Sequence, residues 1–191
     1  MNLPSLSLLS AVWGVAELCL AIKSFGRSGG KSGSASKDRG SMFLIWGVCI
    51  LFVWLGIYAA NHWYGWAIPS RRTVYFIGYG MFVFGVLFRW GCIFYLGRFF
   101  TPNVVIQEQH RLIDTGPYHF IRHPTYTGAL VAAFGVTLTM GNWVSLVIIF
   151  VPILAVVLWR IRIEEAALLE AFGEQYRGYM QRTKRLIPLI Y

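Results

Sequence analysis

The stretch Pro124–Leu158, PTYTGALVAAFGVTLTMGNWVSLVIIFVPILAVVL, contains two apolar runs joined at Gly141-Asn142. A connection this short makes two helices antiparallel neighbours. The two ends away from the turn therefore return to the same side of a membrane. Both of these ends continue into polar motifs, YHFIRH before the first run and RIRIEE after the second. The pattern predicts a helical hairpin that brings the two motifs into one pocket.

The composition places the chain in a bilayer. Of 191 residues, 57% are hydrophobic and only 13% are charged, which is too apolar for an ordinary soluble domain. A membrane-spanning helix needs about 17 to 25 apolar residues, and Leu3–Ile22, Ser41–Ala60 and Thr73–Gly97 qualify. With the hairpin, the predicted fold is all-α, a bundle of about five transmembrane helices with a cytosolic C-terminal helix extension.

Two regions are expected along the chain. Residues 1–97 hold three transmembrane helices and a Gly/Ser-rich basic loop at 23–40. Residues 98–191 form the catalytic region, with a polar cofactor-binding connector, the hairpin and the C-terminal helix. The first run has no basic residues ahead of it and no small-residue cleavage pattern behind it, so it is interpreted as a retained anchor.

The 17 Lys and Arg residues are unevenly distributed over these segments. Five lie in 23–39, three in 98–122 and six in 160–185, whereas the opposite side of a five-helix bundle has only Arg71 and Arg72. This is the positive-inside pattern. It predicts an outside N-terminus, a cytosolic C-terminus and active site, and contact with membrane lipids, and it leaves no support for a nucleic-acid partner.

Small and aromatic residues predict where helices meet each other and the interface. Gly128, Ala132 and Gly135 recur at helical spacing, which allows one face to approach another helix closely. Trp63, Tyr64 and Trp66 follow the second span, where amphipathic rings commonly lie.

Charged residues within and beside the spans have structural as well as functional interpretations. Arg160 and Glu164 are four residues apart on one helix and face the same side, as in a surface ion pair worth about 0 to 1 kcal/mol. The adjacent Glu165 adds a second carboxylate near hydrocarbon, a cost that a bound ammonium or sulfonium would offset. Arg89 is expected to reach the cytoplasmic interface, with Glu17 pairing with it or doing the same.

A metal site is not expected. His119 and His123 are four residues apart, but Pro117 and Pro124 bound them, and the residue before proline is pushed away from helical geometry. Zinc sites usually take three or four clustered ligands.

At these motifs the chain resembles the isoprenylcysteine carboxyl methyltransferase family of integral-membrane enzymes. The resemblance covers about Asn103 to Pro188 and is carried by four elements: HRLI at 110–113, TGPY at 115–118, RHPTYTG at 122–128, and EE at 164–165 with FGEQY at 172–176 and Tyr179.

The resemblance implies methyl transfer from S-adenosylmethionine to the carboxylate of a prenylated cysteine or similar lipophilic acceptor that enters from the bilayer. Arg160 and Glu164 would be the catalytic, substrate-binding residues. The cofactor-binding residues would be Gln107, His110, Arg111, Leu112, Ile113, Tyr118, His123, Pro124, Thr125, Tyr126, Gly128 and Glu165.

Three alternatives stay open. A phospholipid or amine N-methyltransferase shares the histidine-proline and paired-glutamate pattern, but its acceptor needs deprotonation, for which Glu164 or a histidine would be the base. A sterol-reductase-like enzyme would use NADPH in place of S-adenosylmethionine. A membrane scaffold would bind neither cofactor.

Overall fold

The computed structural model describes residues 14, 15, 17, 35–97, 100 and 112–188. Within them the chain is helical, and the only strand-like pairings are the isolated bridges Ala67–Asn142 and Ile121–Lys184. The predicted all-α membrane fold is confirmed. Its helices are α1 (Ala35–His62), α2 (Arg71–Leu96), α3 (Pro124–Leu138), α4 (Trp143–Phe172) and α5 (Glu174–Arg182).

The hairpin predicted from the quoted stretch is formed by α3 and α4. Asn142 caps α4, since its side-chain oxygen accepts a hydrogen bond from the Ser145 N–H at 3.1 Å. The Asn142 amide group also donates to the Trp63 carbonyl at 2.9 Å, and the Ile68 N–H donates to the Gly141 carbonyl at 2.8 Å. The turn is therefore fastened to the connector between α1 and α2, at the end of the bundle away from the polar motifs.

Small residues set the distance between α2 and α3, as their spacing predicts. A methyl group placed on Gly128 would lie 2.8 Å from the backbone nitrogen of Arg89 and 2.8 Å from the backbone oxygen of Gly85. A methyl group on Gly78 would lie 2.6 Å from the Gly135 oxygen. Separations this short exclude a side chain, so the two backbones touch directly.

The second helix pair in the bundle is α1 with α4. The Ser145 hydroxyl donates to the Gly56 carbonyl at 2.9 Å, and the fully buried Ile149 fills the space above that glycine. This hydrogen bond satisfies the Ser145 hydroxyl, which water cannot reach inside the bundle.

Three described helices are long and apolar enough to cross a membrane, Leu44–His62, Arg71–Leu96 and Trp143–Phe172, and α3 is a shorter apolar helix. Apart from residues 14, 15 and 17, which are helical, the predicted first span lies outside the described residues. Trp63, Tyr64 and Trp66 are exposed just after α1, at a helix end where interfacial rings are expected.

Two boundaries differ from the sequence-based expectations. The basic loop predicted at 23–40 ends earlier, because α1 already begins at Ala35; the first turns extend the helix that the apolar run forms. The C-terminal extension of α4 is confirmed as far as Phe172, where Gly173 at φ 50° ends α4 and begins α5. Glycine takes this left-handed conformation without a steric penalty.

Candidate active site

The polar segment before α3 is folded by its glycine and proline residues. Gly116 has φ 57° and lies against the ring of Tyr95, where a methyl group would come within 2.6 Å of the ring carbon Cζ. Pro117 then starts a 3₁₀ turn, Gly116–His119. The Tyr118 ring stacks on the ring of Tyr95, near the end of α2, with 6.4 Å between the ring centroids. Tyr118 is buried there.

His123 and Pro124 begin α3 and place two aromatic groups side by side. His123 is the N-terminal cap residue with φ −124° and ψ 55°, and Pro124 supplies the first helical position, where proline is favoured. The His123 and Tyr126 rings lie 5.8 Å apart. His123 is 3% exposed, so its imidazole is withdrawn from water.

Tyr126 meets the RIRIEE motif across the hairpin. Its hydroxyl lies within interaction range of both Arg160 and Glu164 of α4. Arg160 is 2% exposed, which is exceptional for an arginine, whereas Glu164 is only half-buried. A tyrosine, a guanidinium group and a carboxylate thus share one place, where they can bind an anion beside a cation.

The neighbouring carboxylate, Glu165, is bound by arginines on two other segments. Its Oε1 accepts from Arg122 Nε at 2.9 Å and its Oε2 accepts from Arg185 Nε at 2.8 Å. His123 Nε2 lies 3.5 Å from Oε1. Because Glu165 is 3% exposed, its charge is stabilised by these partners in place of water.

Buried tyrosine hydroxyls border this group of charges. Burial raises the pKa of Tyr118, Tyr176 and Tyr179 far above the usual range of a phenol. All three are therefore neutral at physiological pH and act only as hydrogen-bonding groups. Tyr179 uses its hydroxyl to donate to the Tyr118 carbonyl at 2.6 Å, which ties α5 to the turn before α3.

Comparisons with known proteins match the half of the chain that holds this site. The family model of the isoprenylcysteine carboxyl methyltransferase family matches residues 78–170. Over these residues the chain resembles this family. A protein-S-isoprenylcysteine O-methyltransferase B of Arabidopsis thaliana is 34% identical over 120 residues, covering 59% of this chain and 58% of that protein. An isoprenylcysteine O-methyltransferase of Schizosaccharomyces pombe is 32% identical over 118 residues, covering 58% of this chain and 48% of the relative.

A solved structure has the same fold. The eukaryotic intramembrane Ras methyltransferase, an isoprenylcysteine carboxyl methyltransferase, superposes with a TM-score of 0.60 at 25% identity, over 76% of this chain and 52% of that one. The chain spans about half to two thirds of the length of these relatives. The apolar helices make this an integral membrane protein.

The structure brings together most of the predicted methyltransferase site residues that it describes. Pro124 and Thr125 are buried beside His123 and Tyr126, while Leu112 and Ile113 are half-buried ahead of Tyr118. Gly128 faces the backbone of α2, so its lack of a side chain has a structural reason that requires no ligand. Gln107, His110 and Arg111 lie outside the described residues, and the roles of all these residues stay predictions.

Two arginines of the site could not be recognised from the sequence, and a third had two interpretations. Arg122 and Arg185 were counted only for orientation or as part of a family motif, since nothing in their spacing relates them to Glu165. Arg89 was expected to reach the interface, with Glu17 either pairing with it or doing the same. The pairing is confirmed: Arg89 binds Glu17 at 2.6 and 2.8 Å and also donates to the Thr125 carbonyl at 3.0 Å. An arginine and a glutamate within apolar runs were the available signal for this pair.

Proposed function

We propose that this protein is an S-adenosylmethionine-dependent methyltransferase that methylates the carboxylate of a prenylated cysteine or a similar lipophilic carboxylate. The observation that carries the proposal is the approach of Tyr126 to Arg160 and Glu164 across the hairpin. It provides a buried guanidinium group for an anionic acceptor and a carboxylate for a cationic donor. The names of the relatives from Arabidopsis thaliana and Schizosaccharomyces pombe agree with this chemistry.

The residues on the cofactor side fit a ligand with several polar groups. The Tyr118 hydroxyl and His123 Nε2 are buried, and neither makes a hydrogen bond of good geometry within the described residues, although Nε2 lies 3.5 Å from Glu165 Oε1. A buried polar group without a partner costs about 1 to 3 kcal/mol, so a bound ligand would satisfy both atoms. Bound S-adenosylmethionine supplies the electrophilic methyl group on its sulfonium.

Arg160 is the residue that would hold the acceptor. A carboxylate is already ionised at neutral pH, so its methylation requires no general base. The site tyrosines are neutral and cannot remove a proton at physiological pH, which is consistent with a reaction that needs no base. A charge-assisted contact from Arg160 to one carboxylate oxygen leaves the other oxygen as the nucleophile.

Glu164 and Tyr126 would orient Arg160 and complement the positive charge of the donor. Glu164 is only half-buried, so it retains access to the space in front of the helix. Positioning two reactants in line and excluding water accelerates such a transfer by several orders of magnitude. The prenyl tail would stay among the apolar helices, which expose large hydrophobic side chains to lipid.

The charge distribution supports a cytosolic site. Six Lys and Arg residues lie in 160–185, whereas the connector between α1 and α2 is followed only by Arg71 and Arg72. By the positive-inside rule the C-terminus and the site face the cytosol and the N-terminus faces outside.

The experiment is methylation of an N-acetylated S-prenylcysteine by radiolabelled S-adenosylmethionine in detergent-purified protein. We expect transfer of the label to a base-labile ester, and none when the acceptor carboxylate is replaced by an amide. The rate should be nearly constant from about pH 6 to 9, because the acceptor carboxyl group is deprotonated throughout this range.

Each alternative function gives a different result in the same preparation. A base-stable label on phosphatidylethanolamine, with a rate that rises with pH, would indicate an amine N-methyltransferase. Calorimetric binding of NADPH without binding of S-adenosylmethionine would indicate a reductase. Binding of neither compound would indicate a scaffold.

A further inference from the structure

A short segment after α5 is built into the site. We define it as the C-terminal strap, residues Thr183–Leu186. The Lys184 carbonyl accepts a hydrogen bond from the Arg122 N–H at 2.7 Å, and the Arg185 carbonyl accepts one from the His123 N–H at 3.0 Å. The Leu186 carbonyl accepts the Thr127 hydroxyl at 2.7 Å. The strap thereby bonds the cap residue of α3, which has no side-chain cap of its own.

Side-chain hydrogen bonds of two arginines also hold the strap in place. Arg122 Nη1 donates to the Met180 carbonyl at 3.1 Å and to the Thr183 carbonyl, while its Nε donates to Glu165. Arg185 of the strap donates to the other oxygen of the same carboxylate through Nε at 2.8 Å, with Nη2 also at 2.8 Å. One buried carboxylate therefore joins α4, the segment before α3 and the strap.

We propose that Arg185 is a positioning residue for methyl transfer: its bond to Glu165 holds the strap against His123 and so fixes the cofactor side of the site. The inference rests on the proposed function. His123 depends on the strap twice, since its N–H is bonded to the Arg185 carbonyl and its imidazole lies 3.5 Å from the carboxylate that Arg185 shares.

The effect should fall on the donor rather than on the acceptor. Arg160 and Glu164 lie on α4 beside Tyr126, whereas the strap is bonded to the segment 120–127 and to Glu165. A neutral residue at 185 removes the charged link between the strap and Glu165, so that the strap is held by its backbone carbonyls. The cap of α3 then loses its fixed position, and displacements of about 1 Å at such a point cost up to 10²-fold in rate or affinity.

The test compares Arg185→Gln and Arg185→Lys with the control Arg182→Gln. Arg182 lies three residues earlier, is exposed, and pairs with Asp114 at 2.8 Å outside the Glu165 group. For each protein the KM of S-adenosylmethionine, the KM of the acceptor, kcat and the thermal midpoint are measured. We expect Arg185→Gln to raise the KM of S-adenosylmethionine about tenfold or more, with the KM of the acceptor within about twofold. Arg185→Lys should recover part of the loss, and Arg182→Gln should resemble the parent protein.

Two results would overturn the proposal. One is equal behaviour of Arg185→Gln and Arg182→Gln. The other is a lowered thermal midpoint in Arg185→Gln with both KM values changed alike, which describes a purely structural residue. If the parent protein transfers no methyl group, the proposed function fails separately, and calorimetric affinity for S-adenosylmethionine then replaces KM. Absence of binding by the parent protein would also refute the positioning role.

Discussion

Between α2 and α3, Gly85 and Gly128 face each other with no side chain between the helices, whereas at the polar end of the same hairpin Arg122, Glu165 and Arg185 meet through charged groups. The first contact depends on shape, because lipid provides no hydrophobic force between two apolar helices. The second depends on charges that must compensate one another once they are buried. The hairpin is thus a close-packed support in the membrane that carries an electrostatic site at its end.

The largest expected effect comes from breaking the polar end. Glu165→Ala removes the carboxylate and leaves Arg122, whose side chain is only 7% exposed, without its anionic partner. We expect the free energy of unfolding to fall by about 3 to 5 kcal/mol, measured by denaturant titration in mixed detergent micelles. Glu170→Ala, at an exposed position on the same helix, is the control. An equal, small effect of both changes would show that the buried network does not hold the site end.

Function should be separable from folding within the polar end. Arg160→Ala and Glu164→Ala are each expected to lower kcat by on the order of 10²- to 10³-fold, the range seen when one preorganised electrostatic group is removed from a site. Binding of S-adenosylmethionine by calorimetry should stay within about threefold of the parent value, a difference of less than 1 kcal/mol. Full turnover in either variant, or loss of the folded protein, would contradict the assigned roles.

Overfilling the membrane contact should have a smaller effect on stability. Gly85→Leu places a side chain where the backbone of α3 already lies, and overpacking of this kind costs about 1 to 3 kcal/mol. Gly80→Leu provides the control on the same helix, since nothing lies within 4 Å of the position where its Cβ would be. Thermal midpoints in detergent compare the two variants. If they were equally stable, the direct approach of α2 and α3 would be wrong.

The smallest effect is expected for a charge pair outside the buried network. Arg177 and Glu174 pair at 2.6 Å, but their side chains are 66% and 84% exposed. Exposed pairs contribute little because water and salt screen them. Arg177→Ala should leave the thermal midpoint and kcat unchanged within error, with Arg185→Gln as the contrasting variant in the same assay.

The sequence predicted the membrane part of the fold well, because its signals are local. Apolar run lengths located α2, the turn at Gly141-Asn142 located the hairpin, and the spacing of Gly128 and Gly135 predicted a close contact with another helix, which is α2. The convergence of Tyr126 with Arg160 also followed from the hairpin, since two antiparallel helices return their ends to one place.

Local sequence signals could not predict the position of the strap. Arg185 meets Glu165 only because Gly173 redirects the chain into α5 and Thr183–Leu186 then runs back beside the segment before α3. No periodicity relates residues 122, 165 and 185. The pairing of Arg89 with Glu17 was open for a similar reason, since each residue alone had a second interpretation as an interfacial charge.

The central claim is that the polar end of the hairpin transfers a methyl group to a lipophilic carboxylate. Incubation of the purified protein with radiolabelled S-adenosylmethionine and an N-acetylated S-prenylcysteine measures this directly. The account predicts a base-labile labelled ester that is lost in Arg160→Ala, in Glu164→Ala and with the amide acceptor. Label that fails to appear with the parent protein, or that persists in both variants, would contradict it.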